Sequence, residues 1–554
     1  MRDGQRLAVI GGAVVAAATV VGFAAYGVMH FGGGDGDGTG TVAAASGTGQ
    51  DDSAQQDGPP AEAEVRETAA GFLTAWEEGD ARAAAALTDD PGAARAALEA
   101  LAEEAGVTDL TVAAGEPEEG TVPFTVDARI AYRAQGERHE APFGYESELT
   151  VVRSAGSGEP VVHWEPSVLY PGLREGQSLA TGPLQRRADV EVLDANGDVL
   201  SAEEFPSLAP VLADVAERYE EESGAFRGRS LNIVDAGGEV VERLQRLAEP
   251  ETGQVPTTID PAVQRAAEDA VAAEDGASAV AIEPSTGAIR AIANENPDGF
   301  NTALQGSYAP GSTFKIVSAS LLIQEGLASA GEPHPCPKFF EYGGWRFQNL
   351  DRFEIRGGTF ADSFSASCNT AFISQAPELD DDALGNHARD VFGLGLTWEV
   401  GTATMDGQVP TQSGAQMAAS LIGQGGVRMN PLTMASVSAT VQNGGFRQPY
   451  LVPAEFDGRQ LAQAPGELSP AAAEELRGLM NTTARYGTAA EAMAGLDGDI
   501  GAKTGSAEVD GQERPNAWFT GYRNDLAVAA VVPDSGHGGE FAGPIVADVL
   551  RLAG

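Results

Sequence analysis

Basic residues are scarce in this chain. Its 34 Lys and Arg stand against 81 Asp and Glu, a formal charge of −47 over 554 residues. A phosphate backbone would be repelled, so nucleic acid is not expected as a partner. Cysteine is scarcer still: Cys336 and Cys368 are the two, too few for a disulfide scaffold. Six histidines, among them His139, His163 and His387, are scattered without ligand spacing, so no zinc site, other metal or cofactor is expected. No internal repeat and no collagen-like, coiled-coil or prion-like run is present, which excludes solenoid and fibrous architectures. The acidity is spread along an Ala- and Gly-rich chain and reads as solubility. The length leaves room for roughly two to four domains.

One long apolar run stands out. Leu7 to Met29 is 23 residues without a charge, with Arg2 and Arg6 before it and Asp35 and Asp37 after. It suits a bilayer span of about 20 residues and exceeds the roughly 7 to 15 of a signal-peptide core. The charge asymmetry places a stub at 1–6 in the cytoplasm and the bulk outside, anchored to the cell membrane by a single pass. Small residues at Ala43-Ala44-Ala45 leave cleavage open, and the absence of a following cysteine argues against a lipoprotein anchor. Residues 30–60 are Gly-, Asp-, Ser- and Gln-rich and read as a flexible tether.

The chain is organised around Tyr308-Ala309-Pro310-Gly311-Ser312-Thr313-Phe314-Lys315, which sets a serine and a lysine three residues apart after a Pro-Gly break. The apolar run Ile316 to Leu327 predicts a helix with Ser312 in its first turn and Lys315 one turn on, on the same face. A serine hydroxyl is a poor nucleophile until a base takes its proton. A lysine held neutral by burial and by the positive end of a helix supplies that base. Alone, this spacing is common on surface helices. Two further stretches follow in order: Ser367-Cys368-Asn369 and Lys503-Thr504-Gly505-Ser506. Taken singly, Ser312 and Ser367 read as helix caps and Lys503 as a solvated charge. Together they resemble the signature of penicillin-binding proteins and serine β-lactamases.

That resemblance implies a set of roles. Ser312 attacks a carbonyl and is acylated, with Lys315 taking its proton. Ser367 relays a proton to the leaving amine and Asn369 holds the substrate backbone. Lys503 supports Ser367 and the substrate carboxylate, which Thr504 and Ser506 bind, and Gly505 lets substrate approach the strand edge. The backbone N–H groups of Ser312 and Ser506 form the oxyanion hole. Ser506 replaces the family's commoner threonine and keeps the hydroxyl. Asn301-Thr302-Ala303 departs from an Asn-Arg-Ala pattern, a local surface change. A disulfide between Cys336 and Cys368 is permitted outside the cytoplasm; the alternative is that Cys368 is a small buried residue.

Other stretches fit the same family. Thr257-Thr258-Ile259-Asp260-Pro261 resembles the strand-to-helix entry of a transpeptidase domain. Gly423 to Leu432 resembles the segment before a buried helix, and Ala517 to Tyr522 the strand beside the lysine strand. Upstream, Val65, Phe72, Leu73 and Trp76 recur at helical spacing, and Val122, Phe124, Val126, Ala128, Ile130 and Tyr132 alternate. That predicts a helix followed by a strand meander. Closed by Trp164-Glu165-Pro166-Ser167-Val168-Leu169-Tyr170-Pro171-Gly172-Leu173, it resembles the nuclear-transport-factor-like N-terminal domain of methicillin-resistance-type transpeptidases. Arg186-Arg187 and Asp194-Ala195-Asn196-Gly197 resemble a degenerate hairpin of class B penicillin-binding proteins.

The expected fold class is therefore multidomain α+β. It comprises a transmembrane anchor at 7–29, a nuclear-transport-factor-like domain at 61–175 and a linker or dimerisation-like module at 176–256. A penicillin-binding, β-lactamase-like transpeptidase domain follows at 257–554, an antiparallel sheet flanked by helices plus an all-α lobe. The leading functional reading is a class B penicillin-binding protein. It would be a serine-type D,D-transpeptidase, acylated by D-Ala-D-Ala stem peptides and by β-lactams, with the resistance-type domain pointing to low affinity. Division or elongation proteins are its implied partners. The rivals are a serine β-lactamase, for which no hydrolytic glutamate loop is evident, and a β-lactam sensor or catalytically idle division scaffold. A sensor needs a multi-pass membrane region, and an idle scaffold would have lost a motif residue.

Overall fold

The computed structural model describes residues 58–296 and 299–553. The expected span at 7–29, with its stub and most of its tether, lies outside them. Among the described residues no helix is long and apolar enough to cross a membrane.

Three helices open the N-terminal part: α1 (Glu62–Glu77), α2 (Ala81–Ala85) and α3 (Pro91–Glu103). The side chains of Asp80 and Asp90 accept from the N–H groups of Ala83 and Ala93 and so start α2 and α3. Pro91 fills the first turn of α3, where a missing N–H costs nothing. Then β1 (Val107–Ala114), β2 (Thr121–Ala134), β3 (Glu137–Arg153) and β4 (Pro160–His163) form an antiparallel sheet in that order. Alternation turns Val122, Phe124, Val126, Ala128 and Ile130 of β2 into one core with Phe72, Leu73 and Trp76 of α1. The sequence pattern predicts α1 and the meander from β2 onward. It does not reveal α2 or α3, because the alanine-rich stretch from 81 to 105 carries little apolar contrast, nor β1, none of whose residues is fully buried.

Next come β5 (Gln177–Gly182), β6 (Val190–Leu193), α4 (Ala209–Arg218), β7 (Arg229–Asp235), β8 (Val240–Ala248) and β9 (Gly253–Pro256). Their apolar residues divide between two cores. Leu179, Leu231 and Ile233 of β5 and β7 are buried with the N-terminal helices and sheet. Val192, Val211, Val215 and Val255 of β6, α4 and β9 join the C-terminal core.

The C-terminal part runs α5 (Pro261–Val271), β10 (Ser278–Ile282), β11 (Ile289–Asn294), α6 (Thr302–Gln305) and α7 (Lys315–Gln324). A hairpin of β12 (Phe339–Tyr342) and β13 (Trp345–Gln348) follows, then α8 (Phe360–Ser365), α9 (Asn369–Ile373) and α10 (Ala383–Phe392). Four more helices are α11 (Gly414–Ser420), α12 (Pro431–Asn443), α13 (Ala454–Asp457) and α14 (Pro470–Tyr486). The chain ends on β14 (Ile500–Ala507), β15 (Asn516–Arg523), β16 (Leu526–Val532) and α15 (Ala542–Leu550).

Strands β10, β11 and β14–β16 make a five-stranded antiparallel sheet in the order β11-β10-β16-β15-β14. Helices α5 and α15 pack on one face and α12 on the other. With both faces covered, β16 is buried along its whole length and reads as an unbroken apolar run. The edge strand β14 carries Lys503. One expectation needs correction: the helical lobe is not all-α, since β12 and β13 sit within it. Gly343 and Gly344, with φ of 57° and 82°, supply the two-residue turn. The cross-strand pairs Phe340–Phe347 and Tyr342–Trp345 hold its strands together.

Candidate active site

Three segments meet at the β14 edge of this sheet. Ser312 lies in a 3₁₀ turn, Gly311–Phe314, and Lys315 is the first residue of α7. The sequence pattern places Ser312 in the α-helix itself. Gly311, just before Ser312, adopts a left-handed φ of 54° that breaks the chain direction, and the serine enters α7 through a tighter turn. Every residue of α7 from Lys315 to Leu322 is buried; enclosed on all sides, it runs through the core rather than along a surface.

The serine turn is pressed against β14. A Cβ added at Gly505 would lie 2.9 Å from the Pro310 carbonyl oxygen and 3.0 Å from the Thr313 nitrogen. One added at Gly311 would lie 2.7 Å from the Ser506 carbonyl oxygen. Only glycine at these two positions lets backbone meet backbone, and this contact brings Ser312 beside Ser506.

Lys315 is fully buried. Its Nζ donates to the Ser367 carbonyl at 2.8 Å and to Asn369 Oδ1 at 2.7 Å, with Ser367 Oγ further off at 3.4 Å. From the other side Lys503 Nζ, equally buried, donates to Ser367 Oγ at 2.9 Å and to the Thr504 carbonyl at 3.1 Å. Phenyl rings complete the pocket: Phe372 lies 5.5 Å from Lys315 Nζ and Phe364 lies 5.7 Å from Lys503 Nζ. All these hydrogen-bond partners are neutral. Burial therefore holds the Lys315 amine well below the ordinary lysine range, and the neighbouring Lys503 pushes it the same way. Burial brings Lys503 down to about 7.

A neutral Lys315 amine has two protons and one lone pair. Its two short partners are carbonyl oxygens, which can only accept. They take both protons and leave the lone pair free for a hydroxyl. Ser367, the shared neighbour of both lysines, has a left-handed φ of 59°, a costly conformation for a residue with a side chain.

Along β14, Thr504 Oγ1 lies 2.6 Å from Thr488 Oγ1. Ser506 Oγ accepts from the Gly538 N–H at 3.4 Å and lies 3.5 Å from His537 Nδ1. The structure thus gathers every residue named from the motifs: Ser312, Lys315, Ser367, Asn369, Lys503, Thr504, Gly505 and Ser506. Sequence reasoning missed Asn349, Thr488 and His537, which lie outside the motifs. Cys336 and Cys368 are bonded to each other. Of the two readings open for Cys368, the disulfide is the one observed, inside the Ser-x-Asn motif itself.

Comparison with known proteins places these features. The family model described as penicillin binding protein transpeptidase domain matches residues 277–551. The NTF2-like N-terminal transpeptidase domain matches residues 64–177. Peptidoglycan D,D-transpeptidase PbpA of Mycobacterium tuberculosis is 30% identical over 373 residues, covering 55% of this chain and 73% of that protein. PbpA of Mycolicibacterium smegmatis is 30% identical over 360 residues, covering 54% and 72%. Among solved structures, penicillin binding protein 3 of M. tuberculosis aligns with a TM-score of 0.52 at 21% identity, over 67% of this chain and 96% of that one. Pseudomonas aeruginosa PBP2 in complex with WCK 5153 aligns with a TM-score of 0.52 at 22% identity, over 67% and 97%.

Proposed function

Because the chain belongs to the penicillin-binding-protein transpeptidase family and is a peptidoglycan D,D-transpeptidase, we propose how its own residues divide the reaction. The Lys315 lone pair takes the Ser312 proton as Oγ attacks the carbonyl carbon of the penultimate D-Ala of a stem peptide. The backbone N–H groups of Ser312 and Ser506 receive the negative charge on the carbonyl oxygen. The C–N bond then breaks. The departing D-Ala amine takes a proton through the Ser367 hydroxyl, which stands between the two lysines and is resupplied by the Lys315 ammonium just formed. An acyl ester on Ser312 remains. An amine from a second stem peptide attacks that ester, Lys315 removes its proton, and Oγ leaves as the hydroxyl once more. Thr504, Ser506 and Lys503, whose charged form an arriving carboxylate favours, hold the substrate carboxylate, while Asn369 aligns its backbone.

The observation that carries this reading is the pair of carbonyl partners on a buried Lys315. A β-lactam presents a carbonyl and a carboxylate to the same groups and acylates Ser312 in the same way. The N-terminal domain of methicillin-resistance type supports low affinity for such drugs. The apolar run at 7–29 and the disulfide support a membrane-anchored chain whose bulk lies outside the cytoplasm.

Labelling membranes with a fluorescent penicillin tests these points together. The expected result is a stable adduct in the membrane fraction that vanishes in Ser312→Ala. Rapid loss of label with turnover of free drug would instead make the protein a β-lactamase. Label in Ser312→Ala equal to wild type would remove Ser312 from its role.

A further inference from the structure

Helix α9 begins at Asn369, so its first backbone N–H groups need acceptors from outside the helix. The residue at the cap is Cys368, whose sulfur is already bonded to Cys336. That sulfur receives the Ala371 N–H at 3.3 Å and lies 3.3 Å from Thr370 Oγ1, but a disulfide sulfur is a weak acceptor and the Asn369 and Thr370 N–H groups are left to others. The stronger cap comes from elsewhere in the chain. Asn349, 1% exposed and just past the end of β13, accepts with Oδ1 from the Asn369 N–H at 2.8 Å and from the Thr370 N–H at 3.0 Å. Its Nδ2 donates to the carbonyls of Pro337 at 3.0 Å and Phe353 at 2.9 Å, and lies 3.1 Å from Thr370 Oγ1. The preceding residue helps: Asn369 Nδ2 donates to the Gln348 carbonyl at 3.2 Å.

Both ends of Asn369 are therefore tied to the Gln348–Asn349 step. Its backbone is fixed by the Asn349 side chain and its amide by the Gln348 carbonyl. That amide bond decides which way the Asn369 side chain faces. With Nδ2 on Gln348, Oδ1 is the atom left for Lys315, at 2.7 Å. Turned over, the amide would present a donor to a donor, and one amine proton would lose its acceptor.

We propose that Asn349 is a positioning residue for acylation. By capping α9 from outside the motif it fixes Asn369 Oδ1, and through it aims the Lys315 lone pair at the Ser312 hydroxyl. Asn349 touches neither substrate nor the reacting atoms. This rests on the base role given above to Lys315. Loss of label in Lys315→Ala is the separate check on that role, so the two ideas can fail independently.

The test is the pH profile of the acylation rate constant, measured on the full chain with a fluorescent penicillin, beside the thermal midpoint. In Asn349→Ala the two helix N–H groups lose their acceptor and Asn369 drifts from Lys315. Fewer acceptors around the amine disfavour its charged form. The acid limb is expected to move to lower pH while the plateau falls about tenfold or more. Asn349→Asp keeps an oxygen for both N–H groups, gives up the donations to the Pro337 and Phe353 carbonyls at a cost in thermal midpoint, and adds negative charge near Lys315. Its plateau should stay within about threefold of wild type, with the acid limb moved to higher pH.

Thr370→Val, which loses hydroxyl bonds to the same network, is the structural control. It should lower the thermal midpoint while leaving the limb in place. An Asn349→Ala profile differing from wild type only as much as the Thr370→Val profile does would overturn the proposal. Amide exchange in the wild type reports even where a variant fails to fold. Peptides covering Ser367–Thr370 should be protected as long as the β12–β13 hairpin, and rapid exchange there would equally overturn it.

Discussion

Placing two lysines among carbonyls and phenyl rings costs stability that an apolar side chain would not. The pH dependence of that cost follows from Lys503, whose value of about 7 in the folded chain lies below its unfolded value of about 10.4. Between those values the unfolded chain binds the proton and the folded chain does not, so the stability contributed by this group rises with pH across that window. Below about 7 the penalty is complete. Lys503→Met should therefore raise the thermal midpoint by about 2–4 °C or more at pH 6. The gain should shrink toward pH 10, and penicillin labelling should be lost at every pH. A midpoint that rises equally at both pH values would show that the gain came from packing and not from the removed charge.

At the scale of single elements, the bridge between Cys336 and Cys368 closes a loop with a sequence separation of 32. That loop holds the β12–β13 hairpin, Asn349 and α8, all of which bear on the Ser-x-Asn motif. Closing a loop of this length stabilises the folded chain by about 3–4 kcal/mol in the chain-entropy account. Unfolded without reductant, the protein should show no free thiol. After reduction it should show both thiols, with a lower thermal midpoint and slower penicillin labelling. Labelling that is unchanged after reduction would mean that the bridge is not needed to hold α9 in place.

How much of this the sequence could show depends on the kind of signal each element carries. Ser312 and Lys315, like the Ser-x-Asn and Lys-Thr-Gly segments, recur at fixed local offsets, and the residue types state their chemistry. Asn349 has neither property. It is one asparagine in a loop, and its meaning lies in contacts made across space with Pro337, Phe353, Asn369 and Thr370. The cysteine pair is intermediate, since sequence supplies the atoms but not the approach of their Cα positions to 6.2 Å.

For the molecule as a whole, the stretch from 176 to 256 ties the two cores together instead of separating them. A sequence pattern shows that residues such as Leu231 and Val255 are apolar, but not which core each one enters. Leu231 is fully buried in the N-terminal core. Leu231→Ala should destabilise that core by roughly 2–5 kcal/mol, seen as a lower unfolding temperature in calorimetry. Penicillin labelling below that temperature should stay at the wild-type rate, because α7, α9 and β14 belong elsewhere. A labelling rate that falls with the mutation would show that the N-terminal core supports the active site directly.

The left-handed backbone at Ser367 carries a consequence for how the protein can be improved. Glycine would relieve the conformational cost there, on the order of 1 kcal/mol, but it would also delete the hydroxyl that both lysines face. Heat resistance and cross-linking therefore pull position 367 in opposite directions. A library sorted for survival at high temperature would drift toward glycine at this site, and one sorted for capture of penicillin would hold serine.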